Sequence, residues 1–191
     1  IPLSSELWVK KQKTLLKVGM ELLYKYTMIV ILPIVFVMFS FTDLVINVLF
    51  GSKYLPAGNA MKIISIGMIF ASLYMINACF FGGIGKPKIN SIIVYSVAIL
   101  NLVFNLVLIP LIGIIGAAIT TSTSYFLMTV IGTIKIKKYI KLSLPIGIWM
   151  KSFVAGILFV LLIEILKKVL NLNVWIEAAI ILIVAGISYT L

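Results

Sequence analysis

The chain has 191 residues, of which 63% are hydrophobic and 11% charged, whereas a water-soluble domain carries about 25% charged residues, so its solvent is lipid rather than water. The formal charge of +11 comes from 16 basic residues, every one of them Lys, and without the guanidinium fork of Arg a nucleic-acid partner is excluded. There is no His, and the carboxylates Glu6, Glu21, Asp43, Glu164 and Glu177 are far apart in sequence, which excludes a catalytic centre, a metal site or a cofactor held by this chain alone.

Residues 4–25 read as an amphipathic helix. At about 100° per residue, Trp8, Leu15, Gly19, Leu22 and Tyr26 share one face and Lys10, Lys13, Lys17 and Glu21 the other. Ser4 is positioned to cap it, with Glu6 in the first turn. Residues 1–25 are thus expected in the headgroup plane, lysines toward lipid phosphates, or as a plain helical linker. Their lysine density, and the lack of a short apolar stretch ending in a small-residue cleavage site, do not match a signal peptide. The first residue is Ile and Leu191 falls inside an apolar run, so the chain reads as part of a longer protein.

Four spans are expected over residues 26–134. The first runs from Tyr26 to about Phe50, with Pro33 expected to kink it. Gly51 to Pro56 is a turn, and the second span follows from about Ala57 to Phe81. Gly82-Gly83-Ile84-Gly85-Lys86-Pro87 lacks the distal Gly and the Ser or Thr of a phosphate-binding loop, with Phe80 and Pro87 in those places, and reads as a tight turn. From Ile89 to Ile134 there is no charged side chain, and Pro110 and Gly113 interrupt the run. At about 1.5 Å per residue this stretch is about twice as long as a ~30 Å hydrocarbon core, so it is a hairpin of two spans, 90–110 and 113–134. Residues 135–145 form a basic loop, and 146–191 add two further spans, about 146–166 and 174–191. The fold class is all-α: a polytopic membrane helix bundle of about six transmembrane helices preceded by an interfacial amphipathic helix.

This parse sorts the lysines. Lys53, Lys62, Lys167 and Lys168 fall on one side and the remainder of the 16 on the other, which the enrichment of Lys in cytoplasmic loops identifies as the cytoplasm. Both ends of the chain are then cytoplasmic, in a multi-pass protein of the cell membrane. The Lys167-Lys168 pair runs against this pattern, and a re-entrant hairpin would explain it.

Ionisable and amide side chains within spans are costly and carry functional hypotheses. Asp43 and Lys62 lie in the outer thirds of adjacent antiparallel spans, where they either neutralise one another or snorkel, or touch a substrate or ion. Asn101 and Asn105 are one turn apart on the third span and either hydrogen-bond a neighbouring helix or face a polar cavity. Asn77 is a similar case. Gly113, Ala117 and Thr121 form a small-residue stripe suited to close helix packing. Cys79 sits in an apolar run and reads as a buried packing thiol.

In order and spacing the chain resembles the polysaccharide-biosynthesis (O-antigen type) flippases of the multidrug/oligosaccharidyl-lipid/polysaccharide exporter superfamily. The resemblance is carried by Ile1-Pro2-Leu3-Ser4-Ser5-Glu6 before a basic stretch, Pro33, Val48-Leu49-Phe50-Gly51-Ser52-Lys53-Tyr54, and Met61-Lys62-Ile63-Ile64. Further on it includes Gly85-Lys86-Pro87-Lys88, Asn101-Leu102-Val103-Phe104-Asn105 and the run from Leu108 to Ala118. It covers residues 1–138 and implies the carboxy-terminal lobe of a two-lobed transporter, with 26–134 its four-helix part. The implied activity is translocation of polyprenyl-linked oligosaccharide by alternating access, and the implied partners are membrane lipids, that substrate and a missing amino-terminal lobe. On this reading Lys62, Asn101 and Asn105 are the candidate substrate contacts. The alternatives are a cation-coupled multidrug exporter of the same superfamily using Asp43, and a non-catalytic membrane scaffold subunit. A membrane-embedded glycan enzyme would call for an intramembrane His, an acidic centre or a large loop.

Overall fold

The computed structural model describes residues 2–170, and the expected last span, 174–191, lies outside them. Every regular element among the described residues is helical: α1 (Pro2–Val9), α2 (Lys13–Ser40), α3 (Thr42–Leu49), a short 3-10 turn (Ser52–Ala57), α4 (Gly58–Gly83), α5 (Pro87–Ile112), α6 (Ile114–Lys137) and α7 (Ile146–Leu170). Four of these, α2, α4 with its leading turn, α5 and α6, are long and apolar enough to cross a bilayer. The protein is an all-α, multi-pass membrane bundle.

The amino-terminal half departs from expectation in two places. The amphipathic stretch is not one helix over 4–25: it breaks at Lys10 to Gln12, where Lys11 takes a left-handed φ of 56°, and from Lys13 onward it is the first part of α2. With 28 residues at about 1.5 Å each, α2 is itself long enough to span the core. Ser4 therefore lies inside α1 rather than at its cap. At the other end the expected span to Phe50 stops at Ser40, and the Thr42 side chain reaches back across the break. Its Oγ1 reaches the carbonyls of Met38 (2.7 Å) and Phe39 (3.0 Å), taking up backbone acceptors at the break before α3 begins. Pro33 remains within a continuous helix, as the bilayer tolerates better than water does.

The buried stripe of α2 is separate from the apolar face read in residues 4–25. Leu16, Met20, Tyr24, Met28 and Leu32 point into the core at a strict i,i+4 spacing, while Leu15, Leu22 and Tyr26 are exposed. The physical reason is the solvent: lipid tails accept Leu as readily as a protein core does, so the apolar face of a spanning helix need not turn inward.

The hairpins close with economical turns. At the end of α4, Gly85 adopts φ 71°, its N–H returning to the Gly82 carbonyl and that of Lys86 to Phe81, a Schellman arrangement that only Gly enters without steric cost. Pro87 then opens α5, where its missing N–H is not needed. Gly113, at φ 60°, is the single residue between α5 and α6. Pro110 stays within the last turn of α5.

Side by side, the helices pack in the order α5, α6, α4, α2, α7, with α1 lying against α2 and α4. The core runs through this row, built on Tyr24, Leu32, Phe80, Phe81, Ile136 and Val97, all less than 2% exposed. Helix α5 fully buries only Ile93 and Val97 of its apolar side chains; most of its remaining Leu, Ile and Val side chains are exposed, as suits a lipid-facing helix.

Candidate functional site

Asn101 and Asn105 are brought together, and into a ladder between α5 and α6. Asn105 Nδ2 donates to Asn101 Oδ1 (2.9 Å), Asn101 Nδ2 donates to Ser124 Oγ (3.0 Å), and Thr120 Oγ1 donates to Asn105 Oδ1. Ser124 Oγ in turn donates to the Thr120 carbonyl (2.8 Å). Each amide thus has a partner on the facing helix, which meets the demand that polar groups in lipid be satisfied internally. Beside it, the Cβ of a residue replacing Gly116 would lie 2.6 Å from the Leu108 carbonyl oxygen, so the two backbones are nearly in contact.

Asp43 and Lys62 form no ion pair with one another. The ion pairs among the described residues are Lys10 with Glu6 and Lys17 with Glu21. Asp43 is exposed on α3, its Oδ1 3.1 Å from where a Cβ on Gly58 would stand. Lys62 is half-buried and holds its Nζ 5.6 Å from the centroid of Phe39, a cation–π contact. Asp43 thus stands on the short helix α3, which packs against α4, the helix that carries Lys62.

The most enclosed polar cluster joins α2, α4 and α6, and of its members only Asn77 is singled out by sequence. Asn77 is 0% exposed. Tyr24 Oη donates to its Oδ1 and lies 3.3 Å from Thr133 Oγ1, while Asn77 Nδ2 faces the Thr129 carbonyl (3.3 Å) and Thr133 Oγ1 (3.4 Å). Thr129 Oγ1 donates across to the Phe70 carbonyl (2.6 Å), and Ser122 Oγ to that of Ile63 (3.0 Å). Close approach makes this possible: a Cβ on Gly132 would stand 2.7 Å from Asn77 Nδ2, and one on Gly67 2.9 Å from the Ser122 Cα. Gly67, Gly116 and Gly132 are among the small residues that let helices touch, as is Gly156 against Phe36; Gly113 of the expected stripe has nothing within 4 Å. The i,i+4 pair of Thr129 and Thr133 around Gly132 was the signal available for the rest.

Next to this cluster, a cavity of about 300 Å³ is lined by Tyr24, Thr129, Thr133, Trp149 and, at one edge, Lys137. A second hollow, about 320 Å³ and wholly apolar, lies between α2, α4 and α7 around Phe36, Phe39, Ile69, Phe153 and Ile157. A third, of about 600 Å³, opens among the lysines at the end of the bundle where α2 begins and α6 ends. Among the described residues no three His, Cys, Asp or Glu side chains come close enough to hold a metal ion. Cys79 is half-buried.

With the geometry established, known proteins place the fold in a class. No family model matches the chain. Its fold is shared with the lipid II flippase MurJ in an inward closed conformation, at a TM-score of 0.82 and 16% identity, over 98% of this chain and 40% of that one. In sequence it is similar to the uncharacterized membrane protein MJ1068 of Methanocaldococcus jannaschii, 36% identical over 98% of this chain and 36% of the relative. It is also similar to the probable low-salt glycan biosynthesis flippase Agl15 of Haloferax volcanii, 28% identical over 55% of this chain and 22% of the relative. The chain thus spans about a third of the length of the first of these relatives.

Proposed function

We propose that this chain is part of a membrane flippase of the multidrug/oligosaccharidyl-lipid/polysaccharide exporter superfamily, in the O-antigen-type branch. It forms most of the carboxy-terminal lobe and moves lipid-linked oligosaccharide or polysaccharide precursors across the bilayer by alternating access. The observation that carries this reading is the fold shared with a lipid II flippase along almost the whole chain. Similarity to a glycan biosynthesis flippase over half the chain supports it independently. The physical demand is that a large polar headgroup cross ~30 Å of hydrocarbon without meeting it, which two lobes rocking about a central polar cavity accomplish.

In this reading an amino-terminal lobe completes the cavity, and both ends of the chain lie in the cytoplasm, as the lysine distribution supports. The transporter lobe occupies residues 26–134, with 135–145 a cytoplasmic loop and 146–191 two added spans. Lys62 is the candidate with an ammonium not engaged in an ion pair among the described residues, and it is assigned the contact with the pyrophosphate or sugar. Asn101 and Asn105, whose amides are engaged, act with it by holding α5 and α6 as one body while the lobes move.

Replacing Lys62, Asn101 and Asn105 singly by Ala in the full-length protein, and following translocation of lipid-linked sugar beside thermal stability, tests the assignment. Lys62→Ala is expected to slow translocation at unchanged stability, and Asn105→Ala to lower stability by about 1 kcal/mol. Full transport in all three variants returns these residues to packing.

A further inference from the structure

The end of the bundle where α2 begins carries a recess of about 600 Å³ lined by Lys13, Lys17, Lys137, Lys138 and Lys141, with the Thr14 hydroxyl among them. The lysines arrive from two separate parts of the chain, the first turns of α2 and the segment that ends α6. The carboxylate nearest to them is Glu21, which is occupied: its Oε1 accepts from the Ser143 N–H at 2.7 Å and lies 3.7 Å from Lys17 Nζ. Lys13 leans over Trp8, 5.5 Å from the ring centroid. Lys137, Lys138 and Lys141 have no carboxylate partner among the described residues.

Helix electrostatics accounts for half of this arrangement and opposes the other half. Lys137 at the carboxyl end of α6 complements the helix dipole, but Lys13 and Lys17 stand at the amino end of α2, where positive charge is unfavourable. Concentrating ammonium groups there destabilises the unliganded protein, and an anion seated among them removes that cost.

A second observation says what carries the anion. Lys137 also lines the neighbouring cavity of about 300 Å³, which is mainly apolar, with Trp149, Leu144 and Val130 in its wall. Trp149 Nε1 is buried with no hydrogen-bond partner among the described residues, an unusual state for a buried donor. A basic recess and an apolar cavity that share a lysine fit a molecule with a phosphate at one end and hydrocarbon at the other.

We propose that this end of the bundle is a binding site for an anionic phospholipid, with its phosphate among Lys13, Lys17, Lys137, Lys138 and Lys141 and its acyl chain in the cavity beside Trp149. The site lies wholly within this chain and is independent of the transport reading.

The full-length protein in mixed micelles containing phosphatidylglycerol or phosphatidylcholine with brominated acyl chains tests it, bromine quenching a nearby indole. The readout is the Trp149-dependent quenching, taken as the difference from the Trp149→Phe variant. Phosphatidylglycerol is expected to quench at a several-fold lower mole fraction than phosphatidylcholine, and each of Lys17→Gln, Lys137→Gln and Lys141→Gln to weaken that preference by about fivefold. Lys88→Gln and Lys135→Gln, which remove the same charge outside the recess, are expected to leave it intact. Equal quenching by the two lipids overturns the proposal, as does an equal loss in the Lys88 and Lys135 variants, which marks a diffuse basic surface. Abolition of the preference by millimolar inorganic phosphate overturns it too, since the recess would then take the free ion.

Discussion

At the scale of single residues, several polar groups inside the bundle are paired across helices, and glycines opposite them allow the close approach. Asn77 is the clearest case, enclosed by Tyr24, Thr129 and Thr133 and pressed against Gly132. Gly132→Ala is expected to destabilise the protein by about 1–3 kcal/mol through overpacking, and Asn77→Ala by about 1–2 kcal/mol through lost hydrogen bonds. Because the added methyl of the first occupies the space vacated by the second, the double variant should cost clearly less than the sum, a coupling that thermal melts in detergent will read. Sequence inspection found Asn101 and Asn105 by their spacing and left open whether they join helices or face a cavity; their partners Thr120 and Ser124 lie a helix away and could not be paired with them from one sequence. Tyr24 was hidden for a similar reason: a Tyr in an apolar run shows nothing of the Asn it will meet on another helix.

At the scale of elements, the apolar runs and the Gly and Pro between them located α4, α5 and α6 to within three residues of the observed bounds, because length and hydrocarbon thickness leave little freedom. Where the chain is mixed in character the helix bounds differ from those expected. Residues 4–25, read as one amphipathic helix, divide at Lys10 to Gln12, and Lys13, Lys17 and Lys25 stand in the amino-terminal half of a continuous α2, where long side chains can reach the interface. The division between α1 and α2 rests on Lys11 at φ 56°. Lys11→Gly is accordingly expected to raise stability by up to about 1 kcal/mol, and Lys11→Ile to lower it by at least as much, since a β-branched residue resists the left-handed region. A melt that ranks Ile above Gly would contradict the break at this position. The burial pattern of α2 illustrates the wider difficulty: in lipid, an apolar face identifies the membrane as readily as the core.

At the scale of the whole molecule, the proposed topology puts the lysine-rich end of the bundle in the cytoplasm. Cys79 is the sole cysteine of the chain, so a Cys79→Ala background allows sidedness to be read with an impermeant thiol reagent. In the full-length protein in intact cells, cysteines replacing Lys53 or Gly113 are expected to label from outside, and those replacing Lys88 or Lys138 only after the membrane is opened. The reverse pattern would invert the topology and put the lysine-rich end outside. The central claim, that the assembled protein carries lipid-linked oligosaccharide across the bilayer, is tested most directly by reconstituting the full-length protein into vesicles holding a fluorescent lipid-linked oligosaccharide and adding an impermeant quencher. The account predicts that the inner-leaflet fluorescence decays when the protein is present and persists in protein-free vesicles; persistence in both would contradict it.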